Sequence, residues 1–171
     1  MPGAVRGGEP IIPPTPFVGA AGDWYVQVKP FCNALEADTR VRAFPPPQGP
    51  EGAGYGAACY ALAGRIEQAR GLIEVLPAGQ RGQAASIVFN VGHPVADAGD
   101  DRSAGPIMEL VLEFWPENYM ALYHAGMSEY VLGQHDQART RLRQFLDLYH
   151  ADDGWRSNAI EVLGRLEGPE R

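Results

Sequence analysis

Three sets of small residues repeat along this chain in one register. Within each set the steps are seven and then five residues, and successive sets are displaced by 35 and then 34 residues. A repeat of about 34 residues with small side chains at fixed positions is typical of stacked helical hairpins, because small residues let two helices approach closely. We therefore predict an all-α solenoid. The three sets are Ala57, Gly64 and Ala69; Gly92, Gly99 and Ala104; and Gly126, Gly133 and Ala138.

Length, composition and charge indicate one folded domain and limit the kinds of partner that the chain can bind. The chain has 171 residues, of which 45% are hydrophobic, and this is enough for one domain with a packed core. Its 14 basic and 21 acidic residues give a net charge of -7, which disfavours nucleic acid and anionic lipid as partners. No stretch approaches the roughly 18 to 20 apolar residues that a bilayer span requires, so we expect no membrane span.

The first 49 residues are expected to lie outside the regular hairpins. Residues 1–22 are rich in proline and glycine and predict an extended arm, with apolar anchors that could lie along a partner. Residues 23–49 form a degenerate segment with a short edge strand over 24–28 and one short helix over about 33–44. The predicted arm anchors are Ile11, Ile12 and Phe17.

Residues 50–152 divide into three predicted hairpins, and residues 153–171 into a capping helix over about 155–166 and a tail. Pro94 falls inside the first helix of the second hairpin, where it should kink or locally break that helix. A capping helix is expected because the last hairpin would otherwise leave its core face in water. The predicted helix pairs cover 51–63 and 66–76, then 84–98 and 103–115, then 118–132 and 136–150.

Over residues 50–152 the pattern resembles the tetratricopeptide repeat family. The family's helix pairs carry large residues, close-contact small residues and a closing proline at set positions. The first hairpin departs from this pattern, with Ala53 where a large residue is usual. The resemblance is strongest in the third hairpin, in Leu122, Ala125, Gly126, Gly133, Ala138, Leu142 and Phe145.

The resemblance implies a concave face, lined by the first helix of each hairpin, that binds a protein or peptide partner. Tyrosine and methionine suit such a surface because they offer large and adaptable contact areas. The alternative is that some of these side chains pack against the next helix or the capping helix. The predicted partner-binding residues are Phe89, His93, Asp97, Met120, Tyr123, Met127 and Tyr130.

The two cysteines, Cys32 and Cys59, leave two interpretations open. They are too few for a zinc knuckle and lack the C-x-x-C-H haem motif, so they are either a disulfide or two buried thiols. The stacking that the resemblance implies would bring Cys59 towards the segment that contains Cys32. A disulfide would favour a periplasmic or extracellular protein, and buried thiols a cytoplasmic one.

We expect no catalytic residues, no metal site and no cofactor. Nucleophile elbows, phosphate loops and dinucleotide fingerprints are missing from the sequence. Asp97, Asp100 and Asp101 surround Gly99 without the spacing of a calcium loop, so we interpret them as turn and helix-capping residues. The four histidines are spread over different hairpin positions: His93, His124, His135 and His150.

These patterns favour a non-catalytic scaffold that binds a peptide or a partner subunit through the concave face. An alternative is a structural or accessory subunit of a larger assembly, membrane-attached or extracellular, tethered by the N-terminal arm. The two hypotheses differ in where the binding energy lies, on the helical face or on the arm.

Overall fold

The computed structural model describes residues 19–168, in which all regular structure is helical. The prediction of an all-α chain is confirmed for this part. A short 3-10 turn over Lys29–Phe31 follows the first helix. The α-helices are α1 (Gly19–Val28), α2 (Ala37–Ala43), α3 (Pro50–Leu62), α4 (Ile66–Glu74), α5 (Ala78–Asp97), α6 (Asp101–Phe114), α7 (Tyr119–Val131), α8 (His135–Leu148) and α9 (Gly154–Leu166).

Three helical hairpins form the centre of the molecule. The helices α3 and α4, α5 and α6, and α7 and α8 are joined by short turns and pack on each other. The turns contain Gly64, Gly99 and Gly133, with φ of 74°, 85° and 77°. Residues with a side chain rarely adopt this left-handed conformation, so the middle glycine of each repeated set is required by the backbone.

Small residues mark the places where the helices cross closely. A Cβ atom added to Gly54 in α3 would lie 2.8 Å from Ile87 Cδ1 in α5. One added to Gly92 in α5 would lie 2.7 Å from Ile107 Cγ2 in α6, and at Gly126 in α7 it would lie 2.9 Å from two atoms of Leu142 in α8. In the second and third hairpins, the first residue of the repeated set thus provides room for the partner helix of its own hairpin, whereas Gly54, which is outside the repeated set, provides room for the next hairpin.

The N-terminal segment differs from the prediction. An α-helix, α1, covers Gly19–Val28, so the predicted edge strand over 24–28 is wrong and the predicted arm does not extend to residue 22. The apolar residues of α1 recur every three to four positions and bury one helical face. Trp24 Nε1 donates to the carbonyl of Phe44 at 2.9 Å, and Tyr25 stacks on Tyr55 with ring centroids 5.2 Å apart.

Other boundaries shift by smaller amounts. The short helix predicted over 33–44 is α2, which begins at Ala37. Before it, Asn33 Oδ1 accepts hydrogen bonds from the backbone N–H groups of Leu35 and Glu36, and these bonds form a turn in place of the first helical residues. The helix α5 begins at residue 78 rather than 84 and runs through Pro94 without interruption. Ile11, Ile12, Phe17 and the rest of 1–18 lie outside the described residues.

A disulfide joins Cys32, just after the 3-10 turn, to Cys59 in α3. The two sulfur atoms are 2.10 Å apart and the Cα atoms 4.8 Å apart. Cys59 is fully buried, and Cys32 is half-buried at the edge of the core. Of the two alternatives left open by the sequence, this structure has the disulfide.

None of the helices described between residues 19 and 168 combines the length and the apolar character needed to cross a bilayer. The longest, α5, has 20 residues and includes a histidine, an arginine and an aspartate. The helices pack instead around a shared core, to which α1, the three hairpins and α9 all contribute.

Candidate functional site

Three of the seven predicted partner-binding residues are buried inside the chain. Phe89, Met120 and Tyr123 are 3%, 1% and 4% exposed, so their side chains are core residues here and do not form an open face. Phe89 packs on His93 and Trp115, and Tyr123 is covered by side chains of α9. The ring of Trp155 in α9 meets Tyr123 edge-on with centroids 4.9 Å apart, and Asn158 donates to the Tyr123 hydroxyl.

The other four predicted residues are less buried, and two of them, Asp97 and Met127, border an opening beside α9. Asp97 is exposed, His93, Met127 and Tyr130 are half-buried, and a cavity of about 190 Å³ lies between α5, α7 and α9. Asp97, Tyr123 and Met127 of the predicted set line this cavity. Residues outside that set complete the lining, among them Asp101, His124, Trp155 and Asn158.

Two histidines and an aspartate meet beside this cavity, and Asp97 and His124 also line it. His93 and Asp97 lie one turn apart on α5, and His124 approaches them from α7. Asp97 Oδ1 is 3.3 Å from His93 Nε2 and 3.6 Å from His124 Nε2. One ligand atom from each of the three residues lies within 4.8 Å of the other two, so these residues form a group that could hold a metal ion.

Part of this cluster was visible in the sequence. Asp97 follows His93 by four residues, a spacing that places both on one face of a helix. The third member, His124, is 27 residues further along the chain than Asp97 and reaches the cluster only because α7 packs on α6, the partner helix of α5. The spacing of His93 and Asp97 was therefore a detectable local signal for two of the three residues.

The walls of the cluster are aromatic. Phe89 stacks on His93 with ring centroids 4.7 Å apart, and Trp155 meets His124 edge-on at 5.6 Å.

Burial, with a smaller contribution from His93, lowers the pKa of His124 from 6.5 to about 3. His124 is therefore a neutral imidazole near pH 7. Asp101 also lines the cavity. Its pKa is raised mainly by burial and to a smaller extent by the negative charge of Asp100.

A larger groove lies at the turn ends of the first two hairpins, beside the disulfide. Its volume is about 630 Å³. Apolar side chains from α3, α4, α5 and α6 form its floor, and polar side chains stand at its rim. The floor includes Leu62, Ile66, Val95 and Ile107, and the rim includes Asn33, Asp100, Arg102 and Ser103.

A third polar group is a carboxyl pair between α6 and α7. Burial and a hydrogen bond with Glu109 raise the pKa of Glu129 above its ordinary value of 4.5, while Arg141 acts in the opposite direction. Arg141 Nη2 donates to Glu109 Oε2 at 2.6 Å, and its Nε lies 3.8 Å from Glu129 Oε1. One guanidinium thus serves two adjacent carboxyl groups, and Glu129 favours its protonated form.

This pair predicts a specific dependence of stability on pH. The unfolded chain releases the Glu129 proton near pH 4.5, whereas the folded chain retains it to a higher pH. The free energy of unfolding therefore falls as pH rises from the unfolded pKa to the folded one, and then levels off. In Glu129→Gln this fall should be absent, making the variant about 1 to 2 kcal/mol more stable than the wild type at mildly alkaline pH.

Urea unfolding of both proteins at about pH 4 and about pH 8 measures this difference. The exposed Glu117→Gln removes the same charge elsewhere and should follow the wild type at both pH values. A Glu129→Gln variant that is less stable than the wild type under alkaline conditions would show that the ionised carboxylate is the stabilising form.

Comparison with known proteins does not assign this chain to a family. No protein-family model, curated protein or solved structure matches it. Function is therefore inferred from the residues and their geometry.

Proposed function

We propose that this protein is a non-catalytic scaffold of the tetratricopeptide type, which binds an extended segment of a partner protein. The support is the repeated hairpin: Gly64, Gly99 and Gly133 hold equivalent turns, and Gly92 and Gly126 occupy equivalent crossings in the second and third hairpins. Helical hairpins stacked in this way present extended surfaces for protein partners. The resemblance noted in the sequence leads to the same class of function.

The 630 Å³ groove is the observation that carries the proposal. An apolar floor with a polar rim is the arrangement found at the centre of protein interfaces. The volume also lies within the roughly 300 to 1,000 Å³ typical of binding pockets. We propose this groove as the main contact surface in place of the predicted concave face, because Phe89, Met120 and Tyr123 are buried.

The groove is built on a constrained part of the molecule. The disulfide ties Cys32, which lines the groove, to α3, and Arg65 Nη2 donates to the carbonyl of Ala34 at 2.9 Å. These two links hold the turn over residues 32–36 against the first hairpin. A pre-formed wall lowers the conformational entropy lost on binding.

The chemistry of the groove defines the partner segment. Its floor suits an aliphatic or aromatic side chain, and Asp100 and Arg102 at the rim suit polar groups of either charge on flanking residues. Because the scaffold carries a disulfide, we propose that it works in an oxidising compartment, periplasmic or extracellular.

Blocking the groove tests this function. Ala34 is exposed and lines the groove, so Ala34→Trp should fill it, whereas the adjacent Leu35 is 90% exposed and lies outside the groove. In affinity capture from the native organism, we expect Ala34→Trp to lose a partner that the wild type and Leu35→Trp both retain. For a purified partner the loss of affinity should be about tenfold or more.

The same capture experiment, with a variant that lacks residues 1–18, distinguishes the scaffold from the alternative hypothesis of a tethered accessory subunit. A tethered accessory subunit should lose its partners when residues 1–18 are removed and keep them in Ala34→Trp. Equal capture by the wild type, Ala34→Trp and Leu35→Trp would exclude the groove as the contact surface.

A further inference from the structure

The cluster of His93, Asp97 and His124 has the composition of a metal site. Imidazole nitrogen and carboxylate oxygen are the ligands that zinc and similar divalent transition metals use in proteins. The residues come from two hairpins, with two of them on α5 and one on α7. Three convergent ligands of these types form the usual protein contribution to a site that keeps one position open.

The distances suit a cation at the centre of the cluster. Metal–ligand bonds of about 2.0 to 2.1 Å in tetrahedral geometry place neighbouring ligand atoms about 3.3 Å apart. Asp97 Oδ1 lies 3.3 Å and 3.6 Å from the two histidine Nε2 atoms. One ring nitrogen of each histidine and one carboxylate oxygen of Asp97 all lie within 4.8 Å of one another.

The buried ring of His124 supplies a second, independent observation. The residue is 3% exposed, and its Nε2 atom forms no hydrogen bond within the described part of the chain. At 3.6 Å, Asp97 Oδ1 is too far away for such a bond. A buried polar atom that lacks a partner is costly, so native structures rarely leave one without a role. A cation between Nε2 and Oδ1 would satisfy both atoms.

We propose that His93, Asp97 and His124 bind one divalent transition-metal ion of the zinc class. The ligands are Nε2 of each histidine and Oδ1 of Asp97. Two nitrogen ligands favour such an ion over calcium or magnesium, which prefer all-oxygen sites. This inference is independent of the groove proposed for partner binding.

The surroundings complete the site. The cavity of about 190 Å³ beside Asp97 and His124 has room for water as a fourth ligand. Phe89 and Trp155 flank the two imidazole rings and limit their rotation. Because the ligands belong to α5 and α7, bound metal links the second hairpin to the third and should stabilise the folded chain.

Titration of the full chain with zinc and with cobalt tests the site. Protein made without a histidine tag and stripped of metal should bind one equivalent of zinc by calorimetry. Cobalt should give the visible absorption of a low-symmetry, four-coordinate ion. Zinc should also raise the melting temperature, because it binds the folded chain in preference to the unfolded one.

Matched variants assign the ligands. Asp97→Asn changes an exposed side chain, so it should fold, and it should weaken zinc binding by more than about tenfold, as should His93→Gln. His135→Gln changes an exposed histidine at the start of α8, outside the cluster, and should bind zinc like the wild type. Melting of each metal-free variant verifies folding. No binding by the wild type, or equal binding by Asp97→Asn and His135→Gln, would overturn the proposal.

Discussion

Reduction of the Cys32–Cys59 disulfide is expected to lower the free energy of unfolding by about 3.5 kcal/mol. The bond closes a loop over a sequence separation of 27 residues, and a cross-link of this length restricts the unfolded chain. The loop contains α2 and most of α3. Loss of the bond should therefore weaken the attachment of the N-terminal segment to the first hairpin.

Guanidinium unfolding with and without a thiol reductant measures this effect. The double variant Cys32→Ala with Cys59→Ala is the matched control, because its stability should be low in both conditions and unaffected by the reductant. A count of free thiols on the untreated protein should find none. If the wild type has the same stability before and after complete reduction, the cross-link does not stabilise the fold.

Replacement of Gly52 by alanine should destabilise the protein by about 3 kcal/mol, although alanine is the better helix former. A Cβ atom at this position would lie 1.6 Å from the carbonyl oxygen of Pro47. The obstacle is backbone, so the loop before α3 must move to make room. Overpacking against a fixed neighbour outweighs the gain of roughly 1 kcal/mol in helix propensity.

Gly71 offers the matched control for this substitution. It also lies in a helix, α4, but a Cβ atom there would have no atom within 4 Å. Gly71→Ala should therefore stabilise the protein by about 0.5 to 1 kcal/mol, so the two substitutions should have opposite signs in thermal melts. Destabilisation of similar size in both variants would indicate that the Pro47 contact is not the cause.

The hairpins were predictable because their signals are local. A turn glycine with positive φ and small residues at helix crossings restrict the amino acid at single positions. The segment before them was not, because its alternating pattern over residues 24–28 also fits a helix that buries Trp24, Tyr25 and Val28 against α3. Without knowledge of α3, the sequence favoured the wrong period.

The candidate sites depend on contacts that are remote in sequence. A repeat frame indicates which side chains share a helix face, but it does not show that Trp155 of α9 covers Tyr123. The groove is assembled from the turn after Cys32 and the facing ends of α3, α4, α5 and α6. The His93 and Asp97 spacing was local and detectable, whereas the approach of His124 required the packed fold.

The order of helix packing gives the molecule two unlike ends. Each hairpin packs mainly on its neighbour, the disulfide closes the N-terminal end, and α9 rests on α8 and on the rings of Tyr123 and His124 without a covalent link. In a stack where each unit contacts only its neighbours, the free energy needed to unfold one helix depends on the contacts of that helix alone. Amide hydrogens in α9 and α8 should consequently exchange with solvent sooner than those in α3, because α9 and α8 open before the helices that the disulfide constrains.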